Sequence, residues 1–132
     1  MIALDTNIIT RYLLNDDPMQ AQAAVTLLGS GEPLFVPTTV WLELAWVLGC
    51  YDCTRAEIAG AVRHVLGLPN LQTMDEIALL RALAGYEGGL DFADALHLAL
   101  SSGTGSMASF DKDFAKIAKR LEMQPPVVRP MP

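Results

Sequence analysis

The sequence predicts an α/β fold built on parallel strands, and two observations carry that prediction. Short apolar runs alternate with longer stretches whose apolar residues recur at helical spacing. Twice, a strand-like run breaks off at an aspartate that leads straight into a helical pattern: Ile2-Ala3-Leu4 runs into Asp5, and Ser106-Met107-Ala108-Ser109-Phe110 into Asp111. In open parallel α/β sheets the C-terminal ends of the strands share one edge, and ligands bind in the crevice there. The search for function therefore becomes a search for side chains that reach this edge.

The elements follow in order. After Asp5, the apolar residues Ile8, Ile9, Tyr12 and Leu13 predict a first helix to about Leu14, and Asn15-Asp16-Asp17-Pro18 predicts a turn. A second helix buries Ala21, Ala24, Val25 and Leu28 and stops at Gly29-Ser30-Gly31. Pro33-Leu34-Phe35-Val36-Pro37 predicts a strand between two prolines, after which Thr38 and Thr39 offer hydroxyls to cap a third helix, about Val40 to Gly49. That helix reads as apolar on nearly every side, with Glu43 its one charge. A fourth helix lies within Tyr51–Leu68 and ends at Pro69-Asn70, with His64 on its outer face. A fifth spans Asp75 to Tyr86 and closes at Gly88-Gly89. A sixth begins at Leu90-Asp91, carries Asp94 between Ala93 and Ala95, and has His97 one turn on. The last helix follows Asp111 and turns Phe114, Ile117, Ala118 and Leu121 inward, and Pro125-Pro126-Val127-Val128 predicts a short edge strand.

The whole chain, residues 1–132, reads as one domain, long enough to bury about two-thirds of its unfolded surface. It is 52% hydrophobic, yet no apolar run approaches ~18 residues, so no membrane association is expected. The N-terminal residues lack the basic stretch of a secretory signal, which makes the cytoplasm the expected location. Cys50 and Cys53 form an isolated Cys-x-x-Cys without further zinc ligands and read as reduced, packed thiols. A net charge of −6 opposes binding to a polyanion unless a metal ion supplies positive charge.

Asp5, Glu43, Asp94 and Asp111 lie on four separate elements. Capping of helix starts accounts for the three aspartates, and a solvent-facing position accounts for Glu43. The other reading is that the four converge. Two carboxylates ~5 Å apart repel by about 3 kcal/mol at an effective dielectric near 20, so four together oppose folding by roughly 20 kcal/mol. That exceeds the ~5–15 kcal/mol by which a domain is stable, so such a cluster requires protons or a cation. Oxygen-only ligands suit Mg²⁺ or Mn²⁺, and one or two such ions assist phosphoryl displacement by water.

The stretches Leu4-Asp5-Thr6-Asn7, Leu42-Glu43-Leu44, Asp91-Phe92-Ala93-Asp94-Ala95 and Ser109-Phe110-Asp111-Lys112-Asp113-Phe114, in this order and over nearly the whole chain, resemble the PIN-domain ribonucleases, especially VapC-type toxins of bacterial toxin–antitoxin pairs. The resemblance implies a three-layer α/β/α sandwich with a central, mainly parallel sheet. It implies metal-dependent endoribonuclease activity with Mg²⁺ or Mn²⁺, one or two ions, and inhibition by a VapB-like antitoxin. Carried over by position, Asp5, Glu43, Asp94 and Asp111 form the catalytic and metal-binding set. Asp113 is either a ligand through water or a second acid in the first turn of the last helix. Thr6, Asn7 and Ser109 would orient carboxylates or waters. His97 reads either as a proton shuttle or as a packed side chain.

RNA contact requires positive charge. Lys112, Lys116, Lys119 and Arg120 share one face of the last helix, and Arg11 follows Asp5 on the first. A solvated charged face is the commoner meaning of such a stripe. A surplus of Trp, Leu and Met beyond the needs of one core suggests a homodimer or a bound antitoxin. Two other readings stand beside this one. A haloacid-dehalogenase-type phosphohydrolase would need a second Asp where Asn7 stands, and a PIN-like module could bind RNA or protein without cleaving.

Overall fold

The computed structural model describes residues Met1–Pro132, which divide into two compact units, Met1–Met74 and Asp75–Pro132. The first contains β1 (Ile2–Ala3), α1 (Thr6–Leu14), α2 (Pro18–Leu28), β2 (Leu34–Val36), α3 (Thr38–Cys50), α4 (Arg55–Leu66) and β3 (Leu71–Thr73). The second contains α5 (Glu76–Glu87), α6 (Phe92–Ala99), β4 (Met107–Ala108), α7 (Lys112–Arg120) and β5 (Val127–Val128). The α/β class expected from the sequence is the one observed, and every strand pairing is parallel.

In the first unit the strands lie in the order β1-β2-β3, with Ile2 opposite Leu34 and Val36 opposite Thr73. The central strand is β2, and its Leu34 and Val36 are fully buried. Pro33 and Pro37 flank it, so neither interrupts the ladder with a missing N–H. The Pro33 carbonyl still accepts from the Ile2 amide at 2.9 Å. Ile2 and Ala3 of β1 are exposed, whereas the sequence predicts a buried strand here; burial begins at Leu4.

The strand β3 is absent from the sequence reading. Its three residues, Leu-Gln-Thr, are too few to show alternation, and Pro69-Asn70 reads only as the end of a helix. Tertiary contacts define it. The indole N–H of Trp41, which is 1% exposed, donates to the Thr73 hydroxyl at 2.9 Å, and that hydroxyl donates to the Val36 carbonyl at 2.9 Å. One buried side chain thus ties α3 to both β3 and β2. Neither Thr38 nor Thr39 caps α3; Pro37 holds the cap position without a side-chain hydrogen bond. The buried stripe of this helix is Trp41, Leu44, Ala45 and Leu48, while Thr39, Glu43, Trp46 and Cys50 form an exposed one, with Trp46 71% exposed.

In the second unit α5 packs on α6, with Leu79, Leu83, Leu90, Ala95 and Leu98 buried, and the rings of Tyr86 and Phe92 meet edge to face at 5.6 Å. Gly89 turns the chain between them at φ 119, a conformation open to glycine. The paired strands β4 and β5 match Met107 to Val127 and Ala108 to Val128. Bonds from the Met107 amide to the Pro126 carbonyl (2.9 Å) and from the Ser109 amide to the Val128 carbonyl (3.0 Å) extend the pairing on both sides. No helix is long and apolar enough to cross a membrane.

Candidate acidic site

Asp94 is the acid whose surroundings set it apart. It is the third residue of α6, and Asp91 is the cap: the Asp91 carboxylate accepts from the Asp94 amide at 3.2 Å. Capping at this helix start belongs to Asp91, and the Asp94 carboxylate itself makes no hydrogen bond. It is half-buried and lines an open pocket of about 490 Å³ with His97, Ser101, Ser109 and the apolar side chains of Leu100, Met107 and Phe114. Burial raises its pKa above the ordinary 3.8, as do the charges of Asp91 and Asp111, while His97 acts in the opposite direction.

Asp111 stands at the end of the β4 segment. Its carboxylate caps α7 by accepting from the Phe114 amide at 3.1 Å, and its own amide donates to the Ser109 hydroxyl at 3.0 Å. Ser109 thus fixes the backbone of Asp111. Asp113 is exposed in the first turn of α7, where an acid complements the helix dipole. His97 is exposed, and its carbonyl accepts from the Ser101 hydroxyl at 2.8 Å.

In the first unit, Asp5 caps α1 by accepting from the Thr6 amide at 2.7 Å. Thr6 is 3% exposed, and its buried hydroxyl has no partner. Asn7 is exposed, and its carbonyl accepts from the Thr10 hydroxyl at 3.1 Å. Glu43 lies on the exposed stripe of α3 without a hydrogen bond or ion pair, the solvent-facing position that is one of its two readings.

Asp5 and Glu43 belong to the first unit and Asp94 and Asp111 to the second, and nowhere do three Asp, Glu, His or Cys side chains stand together as a ligand set. The donors that are present still fit a small hard cation. Mg²⁺ is commonly held by one or two carboxylates, with water and substrate phosphate supplying the rest. Asp94, whose proton affinity is raised by burial and by its acidic neighbours, is a carboxylate that a divalent ion would relieve.

The expected basic residues separate into two groups. Lys112, Lys116 and Lys119 are exposed on α7 and free of partners. Arg120 instead donates to the Gly88 carbonyl at 2.6 Å. Arg11 is engaged within its own unit, paired with Asp16 at 2.9 Å and donating to the Gln20 side chain at 2.8 Å. His64, expected on the outer face of α4, is exposed there and stacks on Tyr12, whose hydroxyl lies 2.6 Å from its Nε2. Cys50 and Cys53 are free thiols, Cys50 exposed.

Residues 2–120 match the PIN domain. The chain belongs to the PIN domain family. PIN domains have a nuclease-type fold, are generally nucleases and usually use divalent metal ions. No curated protein matches this PIN domain closely enough to narrow that statement. The match spans both units and includes Asp5, Glu43, Asp94 and Asp111. Arg129 lies beyond it. The sequence alone gives Arg129 no role, yet the structure sets its guanidinium over the Phe110 ring, 5.5 Å from the centroid. The two are 19 residues apart, and the pairing of β4 with β5 brings them together.

Proposed function

We propose that this PIN domain is a metal-dependent endoribonuclease, the toxin component of a toxin–antitoxin pair, with Asp5, Glu43, Asp94 and Asp111 as its acidic catalytic residues. The observation that carries this reading is Asp94: a half-buried carboxylate in an open pocket, without a hydrogen bond, its charge disfavoured by burial and then by Asp91 and Asp111. Asp5, Asp17, Asp75, Asp91 and Asp111 each cap a helix; Asp94 does not.

Asp94 and Asp111 would hold Mg²⁺ or Mn²⁺, which when bound neutralises phosphate charge and lowers the pKa of water. The remaining work falls to the chain. Ser109 holds the Asp111 backbone, and Lys112 and Lys116 attract the RNA backbone. No nucleophilic side chain is needed, and the products carry 5′-phosphate and 3′-hydroxyl ends.

The partners that follow are an RNA substrate, a VapB-like antitoxin and a second copy of the chain, in the cytoplasm. Incubating labelled total RNA with the protein and Mn²⁺ should give cleavage that EDTA abolishes and that Asp94→Asn lowers at least ~100-fold. Asp5→Asn, Glu43→Gln and Asp111→Asn should also be impaired. RNA that is bound but left intact by the wild type would establish the non-cleaving module instead, a reading that the solvent-facing Glu43 favours.

A further inference from the structure

We propose that Phe110, with Arg129 packed over its ring, is a stacking platform for one unpaired base of the RNA strand, seated next to Asp111. This rests on the ribonuclease reading above.

Phe110 is 69% exposed, and it occupies the position between Ser109 and Asp111. The Ser109 hydroxyl accepts from the Asp111 amide, so the turn carrying Phe110 is pinned on both sides of the ring's own residue. The ring is also held from outside. The Arg129 guanidinium lies 5.5 Å from its centroid, and Arg129 Nη1 donates to the Phe110 carbonyl at 3.3 Å. Arg129 follows directly after Val128, whose carbonyl accepts from the Ser109 amide, so the segment that delivers the guanidinium is itself part of the sheet.

A ring that is exposed, on a backbone held by Ser109 and Asp111 and with a guanidinium over it, is poorly explained by packing. It does match how single strands are held, with bases stacked on aromatic side chains and an arginine nearby for the phosphate. Charge favours this occupant further. With a net charge of −6 and acids at 111 and 113, phosphate contacts alone are opposed, whereas a neutral base on a neutral ring is not.

The test uses the full chain carrying Asp94→Asn, which suppresses cleavage, and a fluorescent single-stranded RNA scanned with one abasic nucleotide at a time. Phe110→Ala should weaken binding about 10-fold, and Phe110→Trp should restore it. At one position the abasic penalty should vanish in the Phe110→Ala protein. The slope of log affinity against log salt should not change with Phe110→Ala, because stacking releases no counterions, and should flatten with Arg129→Ala. Unchanged affinity of Phe110→Ala, or an abasic profile identical with and without the ring, would overturn the proposal. So would Phe110→Ala that binds RNA normally but loses a co-purifying protein. If the wild-type chain cleaves and Asp94→Asn does not, while Phe110 is without effect, only this inference fails. If the wild type neither binds nor cleaves RNA, both readings fall together.

Discussion

Asp94 and Asp91 show how three residues of spacing separate two kinds of acid. Both sit at the start of α6. The Asp91 carboxylate is spent on a backbone amide, while Asp94 is left half-buried with acidic neighbours. The sign of the consequence follows from linkage. Asp94 holds its proton more tightly in the folded chain than in the unfolded one, so its contribution to stability is full below its ordinary 3.8 and is lost as the pH rises through its raised folded value. In EDTA, Asp94→Asn should therefore be more stable than the wild type at pH 7 in urea denaturation, with the gap closing toward pH 4. Adding Mg²⁺ should raise the melting temperature of the wild type by roughly 10 °C, corresponding to about 2.7 kcal/mol at a hundred times the dissociation constant, and leave Asp94→Asn unmoved. An equal shift in both proteins would remove Asp94 from the ligand set.

At the scale of elements, two positions carry clear costs. Thr54 and Glu57 form a capping box at the start of α4, with bonds of 2.8 and 3.1 Å. The backbone and hydroxyl of Thr54 lower the Glu57 pKa, so this stabilisation is present above the ordinary 4.5 and is lost as the pH falls through the folded value. Thr54→Ala should cost about 1 kcal/mol at pH 7 and less in acid, as denaturant midpoints at the two pH values would reveal. Gly88 closes α5 where a Cβ would come within 2.5 Å of Leu121 Cδ1 and 3.2 Å of its Cγ. Because the branch point as well as the methyls would have to move, Gly88→Ala should lose about 1–3 kcal/mol in the same assay.

For the whole molecule the issue is how a chain of net charge −6 handles RNA. If Lys112 and Lys116 pair with phosphates, reversing both to Glu should weaken cleavage of every RNA alike. The salt slope should also flatten by about 0.7 for each phosphate no longer neutralised. A change confined to one RNA sequence would assign them to base reading instead. Arg11, bound to Asp16 and Gln20, should be nearly silent in the same series.

Much of this protein is legible in its residues alone. All seven helices follow from apolar periodicity with Asp, Thr, Pro and Gly at their ends, because helix starts and stops are local events set by backbone amides and carbonyls within one turn. Asp5 and Asp111 at strand-to-helix junctions are legible for the same reason. What the sequence could not supply was long-range. Strand β3 exists because β2 and Trp41 hold it, and the exposed side of α3 is set by what packs against the other side. The pairing of Phe110 with Arg129 depends on a ladder between segments 19 residues apart. Which acid remains free and which is used as a cap was likewise decided by tertiary structure, since the cost of a charge depends on its solvent and its neighbours rather than on its place in the chain.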